Sequence, residues 1–151
     1  HDMWIKLLGN VVFNPMSALT GATLVEMATH PESSDIVRAV MAEADAVAEG
    51  LGVRLSLTID QRMDGARKVG AHKTSMLQDL EAGRPMELES VVGGVIELGE
   101  KLGLPMPHTR TLYSCARLLD QVRTQWASTT GLPVLRITPL LRAWPLGSRR
   151  S

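Results

Sequence analysis

The sequence has one cysteine, Cys115, so neither an internal disulfide nor a multi-cysteine metal site can form. A buried, unreactive thiol is the expectation for that side chain. Neither sign of charge is in excess, since lysine plus arginine and aspartate plus glutamate both number 16. Without a net field, nucleic acid and anionic membrane surfaces are poor partners. No apolar run approaches the roughly 20 residues needed to span a bilayer, and no basic segment followed by an apolar stretch opens the chain as in a signal peptide. A cytoplasmic setting is therefore expected. The histidines His1, His30, His72 and His108 lack the H-x-x-x-H or H-E-x-x-H spacing of a zinc site, so no metal is expected. A fixed-period repeat is also missing, which disfavours a solenoid. Two glycine patterns fail as nucleotide loops. Gly93-Gly94 followed by Gly99 falls within a helical segment, where close helix packing is the simpler reason. Gly65-Ala66-Arg67-Lys68-Val69-Gly70 is separated from Lys73-Thr74 by Ala71-His72, and no strand leads into it.

What is present is the balance of a folded protein, with 44% hydrophobic and 21% charged residues. From Asp2 to Phe13, Met3, Trp4, Leu7, Leu8, Val11 and Val12 recur at helical spacing, and Asn14-Pro15 predicts the end of that helix. Thr23 and Glu26 match a capping box for a short helix stopping before Pro31. Ser34 is the expected cap of the next helix, where Ile36, Val37, Val40, Met41, Ala44 and Val47 form a stripe ending at Gly50 and Gly52. Further helices are predicted over Thr58 to Val69, Ser75 to Ala82, Glu87 to Leu102 and Thr109 to Asp120. Only Val53 to Leu57 hints at a strand, too short and isolated for a sheet, so the fold class is all-α. After about Val122, Gly131, Pro133, Pro139 and Pro145 interrupt any period, which predicts a loose tail.

Two polar constellations interrupt this apolar pattern. Lys6, Asn10 and Asn14 are spaced i, i+4 and i+8, and steps of four drift by only about 40 degrees, so they share one helix face. An ammonium set among apolar neighbours gives up its proton more readily, which suits a proton donor, and the amides can orient a polar ligand. The same three residues also fit the solvent-facing stripe of an amphipathic helix. The segment Ala71 to Glu87 is dense in hydrogen-bonding side chains, among which Ser75 and Glu87 stand out. Glu87 follows Pro85 in a predicted first helical turn, where it could accept a hydrogen bond from a substrate hydroxyl. Taken by themselves, ordinary helix capping and charge placement are the simpler account of these residues.

The order Trp4-x-Lys6-Leu7-x-x-Asn10-x-x-x-Asn14-Pro15, Ser75-Met76-Leu77-Gln78-Asp79, Gly83-Arg84-Pro85-x-Glu87 and Gly93 resembles the C-terminal helical domain of ketopantoate reductases (2-dehydropantoate 2-reductases). The likeness runs from about Asp2 to Leu119. It implies an NADPH-dependent oxidoreductase of pantothenate biosynthesis, in which an N-terminal Rossmann domain binds NADPH and the helical domain closes a cleft for a small 2-keto acid. By the same resemblance Lys6 is the catalytic general acid, Asn10 and Asn14 orient lysine and substrate, and Ser75 and Glu87 hold the substrate, Glu87 at its far hydroxyl.

The chain departs from the family pattern at Leu24-Val25-Glu26, where members often have Asn-Gly-Glu, and at Val92, where some have asparagine. These departures leave the identity of the 2-keto acid open. The expected organisation is a helical domain over residues 1–121 and a divergent tail over 122–151, with the Rossmann domain absent and the chain inactive alone. A second reading, from the same missing cofactor loop, is a non-catalytic helical association module that forms a homodimer through apolar surface.

Overall fold

In the computed structural model, which describes residues 2–130, the N-terminal apolar repeat forms helix α1, Asp2–Thr20. The helix does not stop at Asn14-Pro15 as expected but carries Pro15 inside it. Proline costs an interior helix about 3 kcal/mol through a lost hydrogen bond and a clash with the preceding turn. Val11, Val12, Phe13, Met16 and Ala18 are all buried around that point. Full burial contributes about 1.5–3 kcal/mol for each large apolar side chain, so the tertiary term outweighs the break.

Helix α2, Leu24–Thr29, opens at Thr23, whose backbone N–H and hydroxyl both donate to the Glu26 carboxylate at 2.7 Å. Helix α3, Pro31–Gly50, starts earlier than expected. Its cap is His30, whose Nδ1 accepts from the Ser33 N–H, and the expected cap Ser34 lies inside the helix. Pro31 at the first helical position explains the shift, because its fixed φ suits a helix start and its missing N–H costs nothing there. The buried stripe of α3 is Val37, Val40, Met41, Ala44 and Val47, while Ile36 falls off it at 45% exposure. Val53 to Leu57 forms no strand, and the described residues contain no other strand to pair with it.

Helix α4, Ile59–Val69, is capped by Thr58 with Gln61 completing a capping box. Helix α5, Ser75–Glu81, is capped by Thr74. A π-helical turn, Glu89–Gly93, then runs directly into α6, Gly94–Lys101. Gly99 of α6 faces Val47 and Met106 so closely that a Cβ would collide with the Met106 side chain, which bears out close packing as that glycine's purpose. The last helix, α7, spans Pro107–Thr130 and so extends past the expected end at Asp120. No glycine or proline lies between Pro107 and Gly131 to terminate it. Residues 122–130 of the expected loose tail are thus helical, and residues 131–151 lie outside the described residues. Cys115 sits exposed on α7 rather than buried. None of the described helices is long and apolar enough to cross a membrane.

Helix α1 packs against α2, α3, α5 and α7, and α4 closes over α2 and α3. One carboxylate joins α3 to α7. Glu43 of α3 accepts from the backbone N–H groups of His108 (2.9 Å) and Thr109 (2.8 Å) and from the Thr109 hydroxyl (2.6 Å). These are otherwise unsatisfied donors of the first turn of α7, where the helix dipole also favours an anion. Burial by itself raises the pKa of the Glu43 carboxyl, but the hydrogen bonds from Thr109 and His108 more than reverse this and hold it below the usual carboxylate range. A depressed carboxyl stabilises the fold above its unfolded pKa and loses that contribution as pH falls through the folded one. Stability is therefore expected to fall between about pH 5 and pH 3, and Glu43→Gln to lower it by about 1–3 kcal/mol at neutral pH. Denaturant unfolding across that pH range checks both, because the variant's curve should be flatter there than that of the native sequence.

Candidate active site

The polar face of α1 opens onto a cleft of about 510 Å³. One wall is α1, with Lys6, Asn10 and Asn14; the other is α4, with Gln61, Arg62 and Gly65; His72 to Ser75 close one side. Four of the five residues singled out from the sequence, Lys6, Asn10, Asn14 and Ser75, thus line one cavity. Glu87 does not line it and stands exposed in the segment before the π-helical turn.

Burial grades along the polar face. Lys6 is exposed, Asn10 is half-buried, and Asn14 is only 5% exposed. The apolar enclosure expected around the Lys6 ammonium is therefore not supplied by residues 2–130, because α1 projects its first turns beyond the helices that bury its second half.

Two residues that sequence reasoning passed over hold the buried end in place. The Ser17 hydroxyl donates to the Asn14 carbonyl at 2.9 Å and shares a hydrogen bond with the Thr74 hydroxyl. Since Ser17 spends its hydrogen on Asn14, Thr74 is the donor to Ser17, while Thr74 Oγ1 accepts from the Leu77 N–H at 3.2 Å. The cap of α5 is thereby tied to the backbone of Asn14, and Ser75, the next residue, is delivered to the cleft. Ser17 is fully buried and Thr74 is 7% exposed. The available signal was the threonine directly before an apolar helical run, a cap position, together with a serine three residues after Asn14.

Arg62 was also passed over. Its side chain is 5% exposed; Nη2 donates to the Leu57 carbonyl at 2.9 Å and lies 4.0 Å from Asp45 Oδ1. Burial lowers the pKa of its guanidinium from the usual value and Asp45 opposes the shift. An arginine retains its proton through any such change. Nε and Nη1 are buried with no hydrogen-bond partner. None of the residues lining the cleft is aspartate or glutamate, while Lys6, Arg62, His72 and Lys73 all do so. Among the described residues no cluster of histidine, cysteine and carboxylates could hold a metal ion.

The described residues thus form an all-α unit in which α1 lines a cleft without carboxylates through Lys6, Asn10 and Asn14. Residues 1–120 match the family described as "Ketopantoate reductase PanE/ApbA C terminal", and the chain belongs to that family. It is 47% identical over 118 residues to a 2-dehydropantoate 2-reductase of Mesorhizobium japonicum, covering 78% of this chain and 36% of that protein. Among solved structures it is similar to a 2-dehydropantoate 2-reductase from Methylococcus capsulatus, with a TM-score of 0.72 and 36% identity over 80% of this chain and 42% of the other. A ketopantoate reductase from Staphylococcus aureus described as dimeric superposes with a TM-score of 0.66 at 28% identity, over 80% of this chain and 43% of that one. The chain thus spans 36–43% of the length of these relatives.

The tie between α1 and α5 can be tested without any ligand. Thr74→Val removes the cap acceptor and the donor to Ser17 at nearly constant volume, and is expected to cost about 1–3 kcal/mol of stability. Thr74→Ser, which keeps the hydroxyl, should recover most of it in the same unfolding measurement.

Proposed function

We propose that this chain is the substrate-binding and proton-donating domain of an NADPH-dependent 2-dehydropantoate 2-reductase, which converts ketopantoate to pantoate in the cytoplasm. The convergence of Lys6, Asn10, Asn14 and Ser75 on one cleft free of carboxylates carries this reading. The described residues contain helices only, with no strand and glycine-rich turn to take a pyrophosphate. They do not fit a dinucleotide, and NADPH is assigned to an N-terminal Rossmann domain that completes the cleft and encloses the exposed Lys6.

The work left to the helical domain is orientation and proton transfer. Reduction of a 2-oxo acid to a 2-hydroxy acid needs a hydride at the carbonyl carbon, which NADPH would supply, and one proton at the carbonyl oxygen. Lys6 supplies it from Nζ, and its positive charge stabilises the oxygen as negative charge develops there. Asn10 and Asn14 offer amide donors and acceptors along the same wall, and Ser75 a hydroxyl across from them, which together fix the angle of the substrate. Glu87 enters as the acceptor for a hydroxyl at the distal end of the substrate, outside the part of the cleft that these residues line.

The chain joined to the nucleotide-binding domain of the Mesorhizobium relative is expected to oxidise NADPH with ketopantoate. In that protein Lys6→Ala should lower kcat by at least about a hundredfold. Unchanged turnover would remove Lys6 from the chemistry. Glu87→Gln should raise KM more for ketopantoate than for 2-oxoisovalerate, which lacks the terminal hydroxyl; equal effects on the two would leave Glu87 without a role. Self-association through α7, which exposes Leu118 and Val122, is part of the same proposal. Light scattering should give twice the monomer mass, and a clean monomer would set that part aside.

A further inference from the structure

We propose that a groove at the C-terminal end of α1 is the docking site of the chain's own segment 132–146, which lies outside the described residues, held by apolar contact and by arginines set against an acidic rim. The inference goes beyond the reading above and does not rest on it. The groove has a volume of about 720 Å³ and is separate from the cleft. Met16 and Thr20, which line it, stand about 15–21 Å beyond Lys6 along α1. Met16 and Met27, both buried, form its floor. The hydroxyls around it are spent on backbone carbonyls: Thr20 donates to Met16 and Thr29 to Val25, each at 2.7 Å, and Ser33 to Met27 at 2.9 Å. A small polar ligand therefore receives no hydrogen from these side chains, and the groove suits an apolar occupant.

Charge and reach select the occupant. Residues 21–37, which supply most of the lining, include Glu26, Glu32 and Asp35 and no lysine or arginine. Arg67, which reaches from α4 to the Ala28 carbonyl of α2, is paired with Asp64 at 2.7 Å. Residues 131–151 are the reverse, with Arg136, Arg142, Arg149 and Arg150 and no carboxylate. The zero net charge of the chain thus divides into −4 over residues 1–130 and +4 over residues 131–151. The segment is also apolar enough to fill the groove, since nine of residues 132–146 are aliphatic or aromatic, and stretches that remain solvated carry few of these. Exposed ion pairs add little each, so apolar burial holds the segment and the arginines choose where it binds. Reach is not limiting. Arg123 of α7 donates to the Arg84 carbonyl, Arg84 is bound to Asp79 of α5, and the α5 cap Thr74 is bonded to Ser17 in the last turn of α1. Only α5, about 10 Å long, then stands between the last turns of α7 and the groove end of α1. An extended chain over residues 131–151 covers up to about 70 Å.

The test uses the full 151-residue chain with its methionine and leucine methyl groups labelled with ¹³C. The expected result is a set of through-space cross-peaks joining the methyl groups of Met16 and Met27 to the Trp144 ring and to the leucines of segment 132–146. Leu140→Asp combined with Leu141→Asp should abolish them and shift both methionine resonances. A synthetic peptide of residues 131–151 added to that variant should return the resonances to their native positions in a saturable way. The same peptide carrying Arg136→Gln and Arg142→Gln should bind about fivefold more weakly at low salt, and the difference should shrink at about 1 M salt. Equal binding of the two peptides would overturn the acidic rim as the selecting feature. Cross-peaks from Trp144 to Leu118 or Val122 of α7 in place of the methionines would overturn the groove as the site. Cross-peaks that arise only between differently labelled copies in a mixed sample would do the same for the intrachain assignment, since a second copy then supplies the segment. Their complete absence sinks the proposal. The cross-peaks of the native sequence decide the matter whether or not the variant folds.

Discussion

Much of this fold hangs on the burial of the second half of α1. From Val11 to Ala18 the helix is enclosed by α2, α3, α5 and α7, and that enclosure is strong enough to carry the chain straight through Pro15. A helix apolar on nearly all sides has to be surrounded, and the surrounding helices take their positions from it. Polar groups on such a helix must either find partners inside or lie where the enclosure ends. Ser17 does the first, through its hydrogen bonds to the Asn14 backbone carbonyl and the Thr74 hydroxyl. Lys6 does the second, being exposed at the open end.

The cleft follows from that gradient. Because α1 emerges from the helices around it toward its N-terminus, its polar face becomes one wall of a groove, and α4 with the His72 to Ser75 segment supplies the rest. The capping of α5 by Thr74 is what sets Ser75 beside that face. A local structural device, a helix cap, is thus also the positioning element of a candidate binding residue.

Two largely buried charges meet different fates here, and the contrast is informative. Glu43 meets four polar groups at the start of α7, the two backbone N–H groups, the Thr109 hydroxyl and the His108 ring Nδ1 at 2.7 Å, and accounts for itself as a structural clamp. Arg62 is held by one carbonyl and keeps two nitrogens without acceptors beside a cavity. Stability alone gives no reason to keep such a group, since an apolar residue of similar volume removes the desolvation cost. The chain as a whole carries no net charge, so the positive character of the cleft is a matter of placement and not of composition.

Helical periodicity was enough to identify every long helix, because the apolar stripe that makes a helix visible in sequence is the same stripe that buries it. The shared face of Lys6, Asn10 and Asn14 was legible for the same reason: residues four apart on one helix are neighbours whatever else the chain does. Helix ends were legible where a cap stood in the sequence, as at Thr23 and Thr58, and misread where burial or a neighbouring residue prevailed, as at Pro15 and His30, or where no breaker followed, as beyond Asp120. The facing wall of the cleft was beyond reach. Arg62 reads in sequence as one charge among several on a polar helix, and Ser17 and Thr74 as ordinary small polar residues, because their meaning lies in contacts between segments far apart in the chain. Sequence alone determined the helices and one face of the site, since both depend on local spacing. Tertiary structure alone decided how deeply each polar group is buried and which of them lacks a partner, since burial belongs to the packed assembly and not to any one segment.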